Sequence, residues 1–245
     1  MIKHNLSAIF VFGSIALSPF GIATASGTEP VAIELVKPQA SNPDGEHGFA
    51  FHSGKAELSL VGGRNRNSSW VMVRGEQLLH PVANLTQGEA VKLTLEDISF
   101  EAHDVPAVSQ ALHITLSPQP GTLPYNAESA FSLELRADGS YSLGVRRHKA
   151  GWPSRVNARL LSEGRIKVQR RFPKLELVLA SSGARLIAYD DGGNQVGNVE
   201  LGPVPEVASW NEYGVNLVLQ KNKEGEQTQV ITNIERISAA KENAP

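Results

Sequence analysis

Apolar and polar residues alternate along most of this chain, most regularly over residues 174–201, KLELVLASSGARLIAYDDGGNQVGNVEL. Leu175, Leu177 and Leu179 alternate with Glu176 and Val178, and Leu186, Ala188 and Asp190 with Ile187 and Tyr189. A period of two is the period of a β-strand. Ser181-Ser182-Gly183 and the run from Asp190 to Asn194 break the pattern with residues that accept left-handed backbone at little cost, so the stretch predicts three antiparallel strands joined by two tight turns. The same alternation predicts strands at 56–62, 69–73, 90–100 and 112–116, and a hairpin of 131–135 and 141–145 about Asp138-Gly139. Shorter strands are expected at 156–161 and 166–172, and closing strands at 213–219 and 229–237. Pro118, Pro120, Gly121 and Pro124 mark one loop and Gly151-Trp152-Pro153 another, because proline cannot donate to a strand ladder.

No window holds a helical period free of β-branched residues or glycine, and no repeat stands out. Many short, evenly spaced strands predict an all-β fold: an antiparallel two-sheet sandwich of jelly-roll type. The expected sandwich domain is 49–238, preceded by a lead-in over 26–48 and followed by a tail over 239–245.

Residues 1–25 differ in kind. Lys3 and His4 precede an apolar run from Leu6 to Leu17, and Ala23-Thr24-Ala25 has the small-x-small form of a cleavage site. Ser14, Ser18, Pro19 and Gly21 interrupt the run, whereas a membrane anchor needs about 20 continuous apolar residues. The expectation is a bacterial secretory signal peptide cleaved near Ala25, a secreted or periplasmic product, and no membrane span after cleavage. The 245 residues contain no cysteine, which removes thiol chemistry and cysteine metal sites. A chain of this length can build a core without disulfides.

The net charge of −2 neither demands nor forbids a polyanionic partner, but its distribution is uneven. Between residues 146 and 174, Arg146, Arg147, Lys149, Arg155, Arg159, Arg165, Lys167, Arg170, Arg171 and Lys174 face one acid, Glu163. Guanidinium groups pair bidentately with carboxylate or sulfate, and aromatic rings stack on sugars, so Arg146, His148, Trp152, Arg155 and Tyr141 are the candidate ligand-binding residues for an acidic polysaccharide. Alternation places Arg146 and Arg147 on opposite faces, which halves the apparent patch. Trp70 and Trp210 are assigned to the core and Trp152, in its loop, to the surface. Asp190, Asp191 and Asn194 offer oxygen ligands for calcium, although the same residues are what a hairpin turn selects. Serine-hydrolase, phosphate-loop, zinc and dinucleotide signatures are absent, and basic residues without interleaved aromatics give no nucleic-acid platform.

Taken with this strand order, residues 131–147 (FSLELRADGSYSLGVRR), 210–220 (WNEYGVNLVLQ) and 230–237 (VITNIERI) resemble the concanavalin A-like lectin/glucanase superfamily, including laminin-G-like domains. The resemblance covers residues 49–237 and implies two curved antiparallel sheets, carbohydrate recognition on a concave face or rim loops, and in some members a calcium ion. Its glucan-hydrolysing branch carries Glu-x-Asp-x-x-Glu on one strand. The nearest match here, Glu96-Asp97-Ile98-Ser99-Phe100-Glu101, is broken, since Glu96 and Asp97 are adjacent and so face opposite ways. Three functional classes follow: a non-catalytic carbohydrate-binding or structural module, a polysaccharide-degrading lyase or glycosidase, and a protein-interaction or matrix protein. Among lyases on related sandwiches an arginine or amide neutralises the uronate carboxylate and a histidine or tyrosine takes its C5 proton, roles open here to Arg146, His148 and Tyr141. The lack of a catalytic signature favours the first class.

Overall fold

The computed structural model describes residues 29–63, 69–123, 126–148 and 156–245, with only the backbone of 147–148 and 156–158. Two antiparallel sheets pack as a sandwich. One has nine strands, in the order β13 (Gln195–Leu201), β12 (Gly183–Tyr189), β11 (Arg171–Ala180), β6 (Ala90–His103), β15 (Gln229–Ile234), β4 (Lys55–Gly62) and β3 (Gly45–His52), with β16 (Arg236–Glu242) paired to the first half of β6 and β1 (Val31–Ala32) paired to β16. The other has seven: β10 (Val156–Arg165), β9 (Ser140–His148), β8 (Ser129–Arg136), β7 (Gln110–Ser117), β14 (Gly214–Lys221), β5 (Ser69–Gly75) and β2 (Leu35–Ser41). Apart from strands, the described residues hold three short 3-10 helices, at Leu85–Gln87, Ala107–Ser109 and Pro205–Ser209.

Period-two patterning explains the arrangement. Leu93, Leu95, Leu175, Leu177 and Leu179 of the first sheet meet Leu112, Ile114, Leu116, Phe131, Leu133 and Leu217 of the second in one continuous core. Each such side chain contributes about 1.5–3 kcal/mol by leaving water. The three-strand stretch at 174–201 is present as β11–β13, but at the margin of its sheet, while the long strand β6 lies at the centre. At Asp97, whose φ is 50°, β6 changes the residues it turns to the core: Leu93 and Leu95 are inward before it, Ile98 and Phe100 after it. Lys174 pairs with Glu96 and Phe172 with Ile98, so the register is unbroken and Pro173 stands opposite Asp97.

The sandwich begins earlier than the apolar pattern implied. Residues assigned to a lead-in supply β1, β2 and the start of β3, and β16 runs on to Glu242. Residues 166–170, expected as a strand, instead cross from the seven-stranded to the nine-stranded sheet. They are fastened by Ile166 N–H donating to Gly139 O (2.9 Å), Arg170 N–H to Ala137 O (2.8 Å) and Phe100 N–H to Arg170 O (2.7 Å). A segment that changes sheets cannot keep a ladder with either one.

Two buried polar side chains join the sheets at one end. Gln110 and Lys221 are register partners on β7 and β14, and both are fully buried. The Gln110 amide donates to Glu101 O and Ile231 O, each at 3.1 Å, across the sandwich. Lys221 Nζ donates to Gly62 O at the end of β4 and to Thr228 Oγ1 at 2.7 Å. Burial favours the neutral amine and lowers the Lys221 pKa. The unfolded chain therefore binds the proton more tightly than the folded one, and stability rises as pH climbs from the lowered value toward about 10.4, where the unfolded lysine titrates. Lys221→Met is expected to flatten that rise, read as urea midpoints at neutral and alkaline pH; an unchanged slope would remove Lys221 as its source.

Candidate functional site

In the seven-stranded sheet, residues that point away from the core are polar. On β9, Leu143 and Val145 face inward, so Ser142, Gly144 and Arg146 face out. On β8, Phe131, Leu133 and Leu135 face inward, so Ser132, Glu134 and Arg136 face out. The register aligns Glu134 with Ser142 and Ser142 with Glu163 of β10, in one row across three strands. A cleft of about 580 Å³ opens there, lined by Glu134, Arg136, Ser140, Ser142, Leu160 and Glu163 among others. A small hollow of about 60 Å³ extends it past Ser132 and Gly144 to Arg146 and Arg159. Leu160 is 56 % exposed on this face and supplies an apolar contact.

The charges are unequally satisfied. Arg136 Nε and Nη2 both reach Glu134 Oε1 at 2.8 Å. Several cations of the basic segment meet acids from elsewhere in the chain: Arg159 pairs with Glu206 and Arg165 with Asp138, both at 2.7 Å, Lys174 with Glu176 at 2.8 Å, and Arg171 with Asp97 at 2.7 Å and Asp191 at 2.8 Å. The asymmetry seen along the sequence is thus neutralised in space at these positions. Arg146 differs. It lines the hollow, and no carboxylate among the described residues pairs with it.

Beside Glu134, in register on β7, stands a group that carries no motif in the sequence. His113 of β7 points to the outer face, almost wholly buried, with Nε2 2.6 Å from Gln220 Oε1 on β14. Its pKa is lowered, first by burial, then by the Arg146 and Arg136 charges, against opposing pulls from Glu134 and the Gln220 bond. The signal was available, since His113 sits at an outward step of an alternating strand, but an isolated histidine inside an apolar run carries no other mark.

Of the five candidate residues, Arg146 is in the cleft system. Tyr141 lies on the same strand but on its opposite face: its ring packs on the core and meets Gly164, its hydroxyl lies 3.5 Å from Ser162 Oγ, and it touches only the cleft's margin. His148 has its backbone in β9, and its side chain, like Trp152 and Arg155, lies outside the described residues. Trp210 is buried in the core, 3 % exposed, its indole N–H donating to Ser129 Oγ at 3.3 Å. Trp70 is not a core residue. Val71 and Val73 occupy the inward positions of β5, so Trp70 falls on the outer face, half-buried against Met72, Val218 and Leu123.

The Asp190–Asn194 turn is internally satisfied, Asp190 Oδ1 accepting from Gly192 N–H at 2.9 Å and Asn194 N–H at 2.8 Å. No cluster of three metal-ligating side chains occurs among the described residues. Asp97 belongs to the other sheet and is held by Arg171, so it does not contribute a catalytic carboxylate to the cleft. A second cleft, about 620 Å³, lies at the rim between β1, the β3–β4 turn and β16. Four of its charges are already matched, Lys55 with Glu235 at 2.5 Å and Arg236 with Glu96 at 3.7 Å.

No family model matches the sequence, and no curated protein matches it. Solved structures do match the fold. Lectin I from Ulex europaeus aligns over 86% of this chain and 92% of its own at 12% identity, with a TM-score of 0.54. Arcelin-5, a lectin-like defence protein from Phaseolus vulgaris, aligns over 85% and 92% at 11% identity, with a TM-score of 0.55. The Lotus tetragonolobus seed lectin aligns over 86% and 94% at 12% identity, with a TM-score of 0.52. The chain has the concanavalin A-like lectin/glucanase fold.

Because His113 is held neutral by burial, its contribution to stability is complete above the unfolded histidine value of about 6.5 and is lost as pH falls through the lowered folded value. Thermal midpoints are expected to drop as pH falls below about 6.5 in the wild type and to drop less in His113→Asn. An imidazole NMR titration with its midpoint above 6.5 would contradict the buried, neutral assignment.

Proposed function

We propose that this protein is an exported, non-catalytic carbohydrate-binding module whose ligand is an acidic glycan held on the outer face of the seven-stranded sheet. The observation that carries the reading is Arg146, a guanidinium without a carboxylate partner among the described residues, at the end of a cleft lined by hydroxyls, the Arg136–Glu134 pair, Glu163 and one exposed leucine. Serine hydroxyls and Glu134 suit sugar hydroxyls, Leu160 suits an apolar ring face, and a guanidinium fork suits a carboxylate or sulfate. The Ulex lectin of the same fold was solved with the methyl glycoside of α-L-fucose, which supports carbohydrate as the ligand class. The signal-like residues 1–25 support export to a compartment where extracellular or cell-wall glycans are met.

A second reading, eliminative cleavage of a uronate chain, is favoured by one observation: His113, Gln220, Arg136 and Arg146 share this face, and histidine, amide and guanidinium are the groups such chemistry uses. The binding reading is preferred because the His113 ring is almost wholly buried, with Nε2 held by Gln220 Oε1.

Affinity electrophoresis through gels containing neutral or acidic polysaccharides separates the readings. Retardation by an acidic glycan is expected, with affinity about tenfold weaker in Arg146→Ala, the scale of one charge-assisted hydrogen bond. Arg146 is outside the core, so the variant should fold. Shortening of the glycan with new unsaturated, ultraviolet-absorbing ends would promote the lyase. No retardation by any glycan would overturn both and leave a protein-interaction or matrix role.

A further inference from the structure

The outer face of the seven-stranded sheet carries one aromatic side chain among the described residues of its central strands, and it lies well away from Arg146. Trp70 pairs in register with Gln220 on β14, Gln220 with Ala111 on β7, and Ala111 with Arg136 on β8. These four residues form a transverse row. On β9 the row falls at Ser140, one step past the Leu135–Tyr141 pair, and Arg146 lies six residues further along that strand.

Strands about 4.8 Å apart put Trp70 roughly 14 Å from Arg136 and 19 Å from the β9 strand. Six residues at about 3.3 Å add roughly 20 Å along β9, so on a flat sheet Trp70 and Arg146 are separated by a diagonal of about 28 Å. The polar groups between them, Gln220, Arg136 and Glu134, all point to the same side, and Ala111 keeps the floor of the row low. Trp70 packs against Met72 and Val218, its neighbours on the same face, and against Leu123, and is left half-buried. A rigid, partly exposed indole with amide and guanidinium neighbours is suited to stacking on a sugar ring.

We infer that Trp70 is a second subsite, so that the ligand is an extended glycan chain lying diagonally across the strands, with one ring on the Trp70 indole and an anionic group at Arg146. This rests on the acidic-glycan reading and adds chain length as the specificity determinant. A monosaccharide or a chain end could fill only one of the two positions. Affinity therefore rises with oligomer length until both are filled.

The test is a length series of acidic oligosaccharides, from disaccharide to long oligomers of one uronate polymer, titrated against the wild type, Trp70→Ala, Trp70→Phe and Arg146→Ala. In the wild type affinity should climb with length and then level off. Trp70→Ala should lose about tenfold for long oligomers and little for the shortest, and Trp70→Phe should recover part of that loss. Because Trp70 packs on Met72, the Phe variant also guards against a folding artefact, as does an unchanged near-ultraviolet circular dichroism signal apart from the lost indole. In a Trp152→Phe background, long oligomers should protect Trp70 fluorescence from acrylamide while short ones do not. If both Trp70 variants bind every length as the wild type does while Arg146→Ala is weakened, the second subsite is overturned and the acidic-glycan reading stands. If no oligomer of any length binds the wild type, both are overturned.

Discussion

Everything about the outer face depends on the constraint that a pleated strand has two sides and the core can claim only one of them. In the seven-stranded sheet the claim is made by Leu112, Ile114, Leu116, Phe131, Leu133, Leu143, Val145 and Leu217. Register then decides what stands beside what on the other side. Once Leu133 is opposite Leu143 in the core, Glu134 must stand beside Ser142 and Arg136 near Ser140. The cleft is therefore a by-product of core pairing in its geometry and a free choice only in its chemistry. Shifting any one strand by a residue would bury its charges and expose its leucines, so the site is held in place by the cost of that slip.

The same constraint limits how the sheets can be closed at their ends, where apolar residues run out and backbone carbonyls remain to be satisfied. Gln110 and Lys221 answer it from adjacent strands, each sending donors across the sandwich to carbonyls of the opposite sheet. A buried carbonyl without a donor costs about 1–3 kcal/mol, which is the scale on which these stitches act. Lysine achieves this at the expense of a buried charge, which is why its titration is displaced while that of a surface lysine would not be.

How much of this was legible depended on whether the information was local. The hairpin about Asp138-Gly139 and the three strands of residues 174–201 follow from alternation and turn residues alone, and both are found. Residues 166–170 have strand-like composition, yet their conformation is set by the need to change sheets, which no local pattern encodes. Trp70 shows the same limit at the level of one residue. Within SWVMV every position after the serine is apolar, so parity could not be read from polarity, and only the pairing of β5 with β14 reveals which side Trp70 takes. Arg146 was legible as a candidate basic residue on the face opposite Arg147, whereas the neutralisation of Arg159, Arg165, Arg171 and Lys174 was not read from the sequence. Only Lys174 finds its partner nearby, Glu176 two residues along the same strand; the partners of the three arginines lie on other elements, from Asp97 on β6 to Glu206 after β13, at sequence distances alternation cannot span.

That neutralisation is what gives Arg146 its meaning. A string of cations on a surface is ordinarily a solvated face, and exposed ion pairs contribute little to stability, so the count of basic residues in the segment says almost nothing about a ligand. What differs here is the remainder after pairing. Arg159 and Arg146 line the same small hollow, yet Arg159 is spent on Glu206 while Arg146 meets no carboxylate among the described residues. The arginines flanking Glu134 divide in the same way, since Arg136 holds that carboxylate with two nitrogens and so leaves Arg146 the freer cation. Both also depress the proton affinity of His113, which stands beside Glu134 on the neighbouring strand of the same face. An anion that reaches Arg146 therefore displaces no carboxylate of the described residues.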